Sequence, residues 1–438
     1  MTREVKSVAV LGGGTMGLGI AAASADAGAN VLLLDVTLAA AEASFERMKN
    51  IRPPAFEDPA SADRITLGGF DTDLAKISDY DWICEAIVED VTVKRELFEK
   101  LEPLRRDGSV ISTNTSGIPL KDITEGMPIR LRKDIVVTHF FNPVKIMRLM
   151  ELIPGEDTTK DVTDALADFC ANKLGKGVVY AKDTVNFIGN RIGCFFMLSG
   201  LHKARAAVQS GMSMEQVDAL LSKPVGLPPT GLYGLIDLIG LDIMDLVGKN
   251  LEANLPASDV GRGFTSFPPE EQAMLDRKQL GRKTKGGFYR LNIAEDGTKT
   301  KEIFDLKTED WRVAEKFALD AVHQNSEDVF FSDDAEGKLV WDIMGGTLLY
   351  AADLVPQISD DVVNIDRAMR WGFGWGKGPF ELLDQLNPSK VIAKLEAAGQ
   401  ELPAMLKTLK ESGAESFYRN EGTEYLALDG SWVAVPAE

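Results

Sequence analysis

Three patterns in this 438-residue sequence predict a parallel α/β domain followed by an all-α domain made of two related helical units. Short apolar runs alternate with helical periodicity over roughly the first 180 residues, as in a parallel sheet wound with helices. After residue 182 the strand signals fade and long helical stretches take over. A weak internal repeat then relates residues 217–237 to residues 365–384, aligning Asp218 with Asp366 and Asp237 with Asp384 across one inserted residue.

Within the first domain, residues 8–11 read as a strand and 15–27 as a helix, with a second strand at 31–35 and a second helix at 38–49. A polar, proline-bearing stretch covers 52–63. Strands follow at 82–85, 110–113, 135–138 and 150–153, with a helix at 91–104. The helical part begins with 191–209, 214–222 and 232–255. The expected organisation is therefore an α/β domain over 1–182, a first helical unit over 183–290, a polar connector over 291–330 and a second helical unit with its tail over 331–438.

Composition narrows the function. The net charge of -19 argues against nucleic acid as a partner, because phosphate binding needs a basic face. That charge is uneven: -6 over 1–182, +1 over 183–290 and -14 over 291–438. A 45% hydrophobic content excludes a disordered chain or a collagen-like fibre. Cys84, Cys170 and Cys194 are widely spaced and form no CxxC pair, which fits reduced thiols and no metal site. The chain runs straight into its first strand, and its longest apolar runs are too short to span a bilayer, so a cytoplasmic protein without membrane insertion is expected.

Gly12-Gly13-Gly14-Thr15-Met16-Gly17 fits G-x-G-x-x-G between a strand and a helix, and Asp35 ends the next strand 23 residues after Gly12. Gly12 permits the tight turn, Gly14 lets the backbone approach a pyrophosphate, and Gly17 lets helix and sheet pack closely. The free N–H groups at Thr15 and Met16 face the phosphates. Asp35 accepts hydrogen bonds from ribose hydroxyls and repels a 2′-phosphate, which favours NAD over NADP. The first domain is thus expected to be Rossmann-type.

Two further constellations carry chemistry. His139, in Thr138-His139-Phe140-Phe141-Asn142-Pro143, is one of three histidines, and Glu151 is the lone acid of an apolar run 12 residues on. A histidine oriented by a carboxylate suits general base catalysis near neutral pH. On these residues alone, a core histidine packed between phenylalanines is an equal reading. Asn114-Thr115-Ser116-Gly117 follows a strand, where the ligand crevice of an open α/β sheet lies, so Ser116 is placed to meet a substrate oxygen; a simple turn is the plain alternative. Asn190 reads as a substrate contact or as a helix N-cap.

Taken in order, the Gly12–Gly17 loop with Asp35, Glu85-Ala86-Ile87-Val88-Glu89, Asn114-Thr115-Ser116, His139-Phe140-Phe141-Asn142-Pro143, Phe187-Ile188-Gly189-Asn190-Arg191, and Gly281-Arg282-Lys283-Thr284 with Gly287-Phe288-Tyr289 resemble L-3-hydroxyacyl-CoA dehydrogenase of fatty acid β-oxidation over residues 5–290. The resemblance implies NAD-dependent oxidation of an L-3-hydroxyacyl-CoA to the 3-ketoacyl-CoA. It makes His139 the base, Glu151 its partner, Ser116 and Asn190 contacts of the reacting oxygen or thioester region, and Asn142 a support of the histidine loop. It places Ala86, Glu89, Lys94 and Asn114 on the cofactor, with Lys283 reaching it from the helical domain.

Residues 291–438, with Met369-Arg370-Trp371-Gly372-Phe373-Gly374-Trp375 and Gly378-Pro379-Phe380-Glu381, are similar to larger multifunctional β-oxidation proteins. In those an enoyl-CoA hydratase domain adjoins the dehydrogenase and a thiolase can belong to the same system. No hydratase activity is expected of this chain. A monomer or a dimer is compatible with the resemblance, the monomer slightly preferred because a fused second copy could occupy the dimer face.

Two departures stand out. Pro228-Pro229-Thr230-Gly231-Leu232-Tyr233 stands where the family has Gly-Pro-Phe, and residues 38–69 hold few basic groups for CoA. Arg47, Lys49 and Arg52 are candidates there, with a solvated helix face as the alternative. Two other functions share this layout: a hydroxyacid dehydrogenase that does not use CoA, and a catalytically silent NAD-binding homologue.

Overall fold

A computed structural model describes residues 3–52 and 54–437. The chain divides into two units. The first holds the described residues up to 188, with Gln357–Ser359 and Ala437; the second holds Gly189–Pro356 and Asp360–Pro436.

The first unit is one eight-stranded sheet in the order β3-β2-β1-β4-β5-β6-β7-β8. Its strands are β1 (Ser7–Leu11), β2 (Asn30–Asp35), β3 (Ile65–Gly69), β4 (Trp82–Glu85), β5 (Val110–Thr113), β6 (Ile135–Phe140), β7 (Leu149–Pro154) and β8 (Gly177–Tyr180). The helices are α1 (Thr15–Asp26), α2 (Leu38–Asn50), α3 (Val91–Leu101), α4 (Leu120–Thr124), α5 (Ile129–Asp134) and α6 (Lys160–Asn172). β1 to β6 are parallel, and β7 turns back antiparallel to β6. The strand order reverses between β1 and β4, which opens the crevice at their carboxyl ends.

Sequence periodicity misses β3 and β8. Ile65-Thr66-Leu67-Gly68-Gly69 ends in two glycines, and Gly177-Val178-Val179-Tyr180 is only four residues long. Each is fixed by pairing with a neighbouring strand, to β2 and β7 respectively. The core under the sheet is built from Val8, Val10, Leu33, Trp82 and Ile20, with Ala21, Ala22 and Ala25 letting α1 lie close. Each large apolar side chain buried there contributes about 1.5–3 kcal/mol. Two polar groups in this core share one acceptor: Trp82 Nε1 and Thr138 Oγ1 both donate to Ser112 Oγ, each at 2.8 Å.

The second unit is helix-rich. Its first part comprises α7 (Gly189–Gln209), α8 (Met214–Leu220), α9 (Gly231–Ile239), α10 (Leu241–Asn254) and α11 (Pro269–Asp276). The single helix predicted over 232–255 is broken at Gly240, whose φ of 101° ends α9 and starts α10. A three-stranded antiparallel sheet follows, β9 (Tyr289–Ile293), β10 (Lys299–Asp305) and β11 (Asp310–Val313). Then come α12 (Ser326–Val329), α13 (Ala335–Val340), a π-helical turn at Trp341–Gly345, α14 (Gly346–Asp353), α15 (Val362–Phe373), α16 (Pro379–Gln385), α17 (Pro388–Ala397) and α18 (Ala404–Ser412). A second three-stranded sheet closes the chain, β12 (Tyr418–Arg419), β13 (Glu424–Leu426) and β14 (Trp432–Ala434). Neither small sheet shows in the sequence, because of their residues Ile303, Phe304 and Leu426 alone are buried and no alternating apolar face results.

One bonding pattern occurs twice in this unit. Asp218 accepts from the N–H groups of Tyr233 and Gly234 and from the Tyr289 hydroxyl; Asp366 accepts from those of Phe380 and Glu381 and from the Tyr418 hydroxyl. Asp237 takes Phe288 N and Tyr289 N, as Asp384 takes Phe417 N and Tyr418 N. A Cβ on Gly231 would meet Asp218 at 2.4 Å, and one on Gly378 would meet Asp366 at 2.3 Å. Gly231-Leu232-Tyr233 therefore does what Gly378-Pro379-Phe380 does, and Pro228-Pro229-Thr230 is the loop before it. The correspondence also runs past the aligned sequence to Phe288-Tyr289 and Phe417-Tyr418, each leading into its own small sheet.

The two parts interlock. Arg191 Nε donates to the Tyr350 hydroxyl at 2.6 Å, and that hydroxyl donates to Asp259 at 3.0 Å. The Phe373 ring lies where a Cβ on Gly193 would be, 2.2 Å away.

Burial raises the buried carboxyls: Asp218 to about 7 and Asp237 to about 6, even though their donors pull the other way. A group whose folded pKa lies above its unfolded value holds its proton longer when folded. Its stabilising contribution is complete below the unfolded value and is lost as pH rises through the folded one. Urea unfolding at about pH 5 and about pH 7.5 is therefore expected to show greater stability at the lower pH, and Asp218→Asn is expected to reduce the difference.

Candidate active site

Antiparallel pairing of β6 with β7 puts His139 directly opposite Glu151. His139 Nδ1 and Glu151 Oε2 are 2.7 Å apart, and both side chains are buried. The other carboxylate oxygen of Glu151 accepts the Ile188 N–H at 3.1 Å. The carboxylate therefore fixes the ring and its tautomer, which leaves Nε2 as the acceptor nitrogen of the neutral ring. The rings of Phe141 and Phe187 flank the imidazole at centroid distances of 4.5 and 5.6 Å. Asn186 and Phe187 adopt positive φ, 60° and 50°, a strain of order 1–3 kcal/mol each. This bend brings Phe187 to the ring and Ile188 N to the carboxylate; nothing in the residue types announces it.

The glycine loop leaves a cradle. Gly12 has φ 112°, and a Cβ there would meet Ala86 O at 2.6 Å, so Ala86 lies against the turn. A Cβ on Gly17 would strike Gly12 O at 1.9 Å, whereas one on Gly14 would meet nothing within 4 Å. No side chain caps α1, so the first-turn N–H groups at Thr15 and Met16 are left to a ligand. Asp35 accepts from Val36 N at 2.7 Å and from Ser44 Oγ at 3.4 Å. Open space before an uncapped helix, edged by a carboxylate, fits a dinucleotide pyrophosphate and ribose.

The groups between these two places bond to one another and to the nearby backbone. Lys94 is buried and pairs with Glu85 at 2.7 Å and with Glu89 at 3.3 Å. Glu85 in turn accepts from Thr113 Oγ1 and from Ile87 N. Glu89 Oε1 accepts from Thr115 Oγ1, Ser116 N and Gly117 N. Burial would raise the Glu89 carboxyl, but the Lys94 charge and these three donors outweigh it and hold it below the usual range. Asn114 Oδ1 accepts Phe140 N at 3.0 Å, tying the end of β5 to the strand that carries His139. Ser116 is exposed on the loop that Glu89 holds. Among residues given no role from sequence, Glu85, Thr115, Phe187 and Ile188 are the ones the structure adds.

Asn142 is exposed, and Glu151, Phe141 and Phe187 are among the described groups that touch the imidazole. Asn190 is in the first turn of α7, in the second unit, and partly buried. Lys283, also in the second unit, forms an ion pair with Asp242. Of the basic residues on α2, Lys49 pairs with Glu46, while Arg47 turns to the glycine loop. His323, Asp334 and Glu336 bring ligand atoms within 4.8 Å of one another, yet Asp334 is committed to His323 and to capping Gly337 N. All three cysteines are free and buried, and burial pushes the Cys84 thiol up to about 12.

Residues 7–184 match the family model for the NAD binding domain of 3-hydroxyacyl-CoA dehydrogenase, and residues 187–291 match that for its C-terminal domain. The chain belongs to the 3-hydroxyacyl-CoA dehydrogenase family. It is 34% identical to a probable 3-hydroxyacyl-CoA dehydrogenase of Bacillus subtilis, over 99% of this chain and 58% of that protein. It is 36% identical to a putative fatty acid oxidation complex trifunctional enzyme of Rickettsia felis, over 87% of this chain and 53% of that protein. The chain thus spans about half the length of these curated relatives. The crystal structure of 3-hydroxybutyryl-CoA dehydrogenase from Escherichia coli K12 shares the fold, with a TM-score of 0.71 at 22% identity over 94% of this chain and 99% of that one.

In this dehydrogenase family the first unit is the NAD-binding domain, and the cradle at Gly12–Gly17 with Asp35 is where the residues present fit the cofactor. Among the described residues, no helix is long and apolar enough to cross a membrane.

Proposed function

We propose that this chain oxidises L-3-hydroxyacyl-CoA to 3-ketoacyl-CoA with NAD, as a step of fatty acid β-oxidation in the cytoplasm, with His139 as general base and Glu151 as its partner. The observation that carries this reading is the 2.7 Å contact between His139 Nδ1 and the buried Glu151 carboxylate on paired strands. His139 Nε2 takes the proton of the substrate 3-hydroxyl as the C3–H bond breaks. NAD, when bound, supplies the acceptor for the hydride that leaves C3. Glu151 stabilises the imidazolium that forms and keeps the ring in place. Exposed Ser116, on the loop held by Glu89, is the first-unit group for the reacting oxygen. For Asn142, Asn190 and Lys283 the support is the family resemblance alone.

We further propose that residues 183–290 and 331–438 are two copies of one helical unit joined by 291–330. The first copy keeps the substrate role, and the chain works beside a hydratase and a thiolase. The Rickettsia felis relative, a putative fatty acid oxidation complex trifunctional enzyme, supports that setting.

NADH oxidation by acetoacetyl-CoA, compared with free acetoacetate, tests the reading. A kcat/KM at least about 100-fold higher for the thioester is expected, since binding of the CoA part contributes to transition-state stabilisation. Equal rates would point to a hydroxyacid dehydrogenase that does not use CoA, and no rate with either would point to a silent homologue.

A further inference from the structure

Arg47 lies on α2, three residues after Ser44 and on the same helix face. Its Nη2 donates to Ser44 Oγ at 2.8 Å and to the Gly13 carbonyl at 3.3 Å. Ser44 Oγ in turn donates to Asp35 Oδ2 at 3.4 Å. The hydroxyl therefore stands between carboxylate and guanidinium, and among the described residues Asp35 and Arg47 form no direct ion pair. A Cβ on Gly13 would meet Asp35 Oδ2 at 2.5 Å and Ser44 Oγ at 2.7 Å, so this loop residue is the floor under all three groups. Arg47 is exposed, and among the described residues its Nε and Nη1 have no protein partner. One nitrogen anchors the guanidinium while two donors stay open beside the carboxylate that meets the adenosine ribose.

We infer that Asp35 and Arg47 are an opposed pair that sets dinucleotide selectivity: Asp35 excludes a 2′-phosphate, and Arg47 is placed to receive one once that carboxylate is gone. A guanidinium charge with open N–H donors on Nε and Nη1, each able to take one phosphate oxygen, is suited to a phosphate dianion. The selectivity of this chain for the unphosphorylated dinucleotide then rests on a single carboxylate set against a resident cation. This inference rests on the assignment of the Gly12–Gly17 cradle to NAD.

Fluorescence titration with NADH and with NADPH tests it without recourse to turnover. Wild-type protein is expected to bind NADH and to discriminate strongly against NADPH. Asp35→Ser is expected to weaken NADH and strengthen NADPH, shifting their affinity ratio by about 100-fold. Adding Arg47→Ala to Asp35→Ser is expected to weaken NADPH at least about tenfold more than NADH, and Arg47→Lys to weaken it less than Arg47→Ala does. NADPH affinity that does not change between Asp35→Ser and Asp35→Ser/Arg47→Ala would overturn the role of Arg47. Wild-type protein that binds neither dinucleotide would overturn the cofactor assignment itself, and the pair with it.

Discussion

Replacing His139 with glutamine is expected to lower kcat for a 3-hydroxyacyl-CoA by about 10²–10⁴-fold while NADH still binds. Glutamine is close in size and can still reach Glu151, so the strand pairing that holds position 139 survives; what is lost is the basic nitrogen at Nε2. Glu151→Gln leaves that nitrogen but removes the carboxylate that fixes the tautomer and stabilises the imidazolium. It is expected to cost less than His139→Gln and to act on kcat more than on KM. NADH titration together with steady-state kinetics separates the two contributions. A His139→Gln variant that keeps most of its kcat would remove the histidine from the chemistry and leave it as packing between Phe141 and Phe187.

Lys94→Met is expected to destabilise the first unit by about 3–5 kcal/mol in urea unfolding. The Lys94 ammonium and the Glu85 carboxylate are both almost wholly shielded from water. Without Lys94, Glu85 keeps its bonds from Thr113 and Ile87 but sits as an uncompensated buried charge. The double variant Glu85→Leu/Lys94→Met is expected to recover part of the loss, since an apolar pair of similar volume has no charge to desolvate. The same lysine reaches Glu89 at 3.3 Å, and Glu89 holds the Ser116 loop. A rise in KM for the acyl-CoA should therefore accompany the stability change in Lys94→Met.

The two effects differ in how readable their residues are. His139 is marked by scarcity, one of three histidines, and by a lone acid in an apolar run. Whether those two side chains meet depends on the register of an antiparallel pair, which a motif does not encode. Lys94 and Glu89 were expected on the cofactor, as the resemblance implied. Within the fold their side chains also make bonds, Lys94 to Glu85 and Glu89 to the loop at 115–117. Residue type gives no sign of this, because a lysine nine residues after a glutamate is as readily a surface pair as a buried one. Arg47, read as a CoA candidate or a solvated residue, is exposed and is also tied to Gly13 by a contact 34 positions away in the chain.

The strands that lead to the crevice, the glycine loop with Asp35, the helix-rich second part and its duplicated aspartates were all legible in the sequence. Each rests on local periodicity, on a short motif, or on the demand that a glycine stand where backbone comes too close. Contacts between distant segments were decided by the tertiary structure. They include the two short strands β3 and β8, which are held by a neighbour more than by propensity. They also include the bend at Asn186 and Phe187 that delivers Ile188 N to Glu151, and the two small sheets whose exposed residues carry no apolar pattern. Sequence periodicity records which face of an element is buried; it does not record which partner buries it. The pairings that turn His139, Glu151, Glu89 and Arg47 from residue types into a site therefore appear only when the chain is folded.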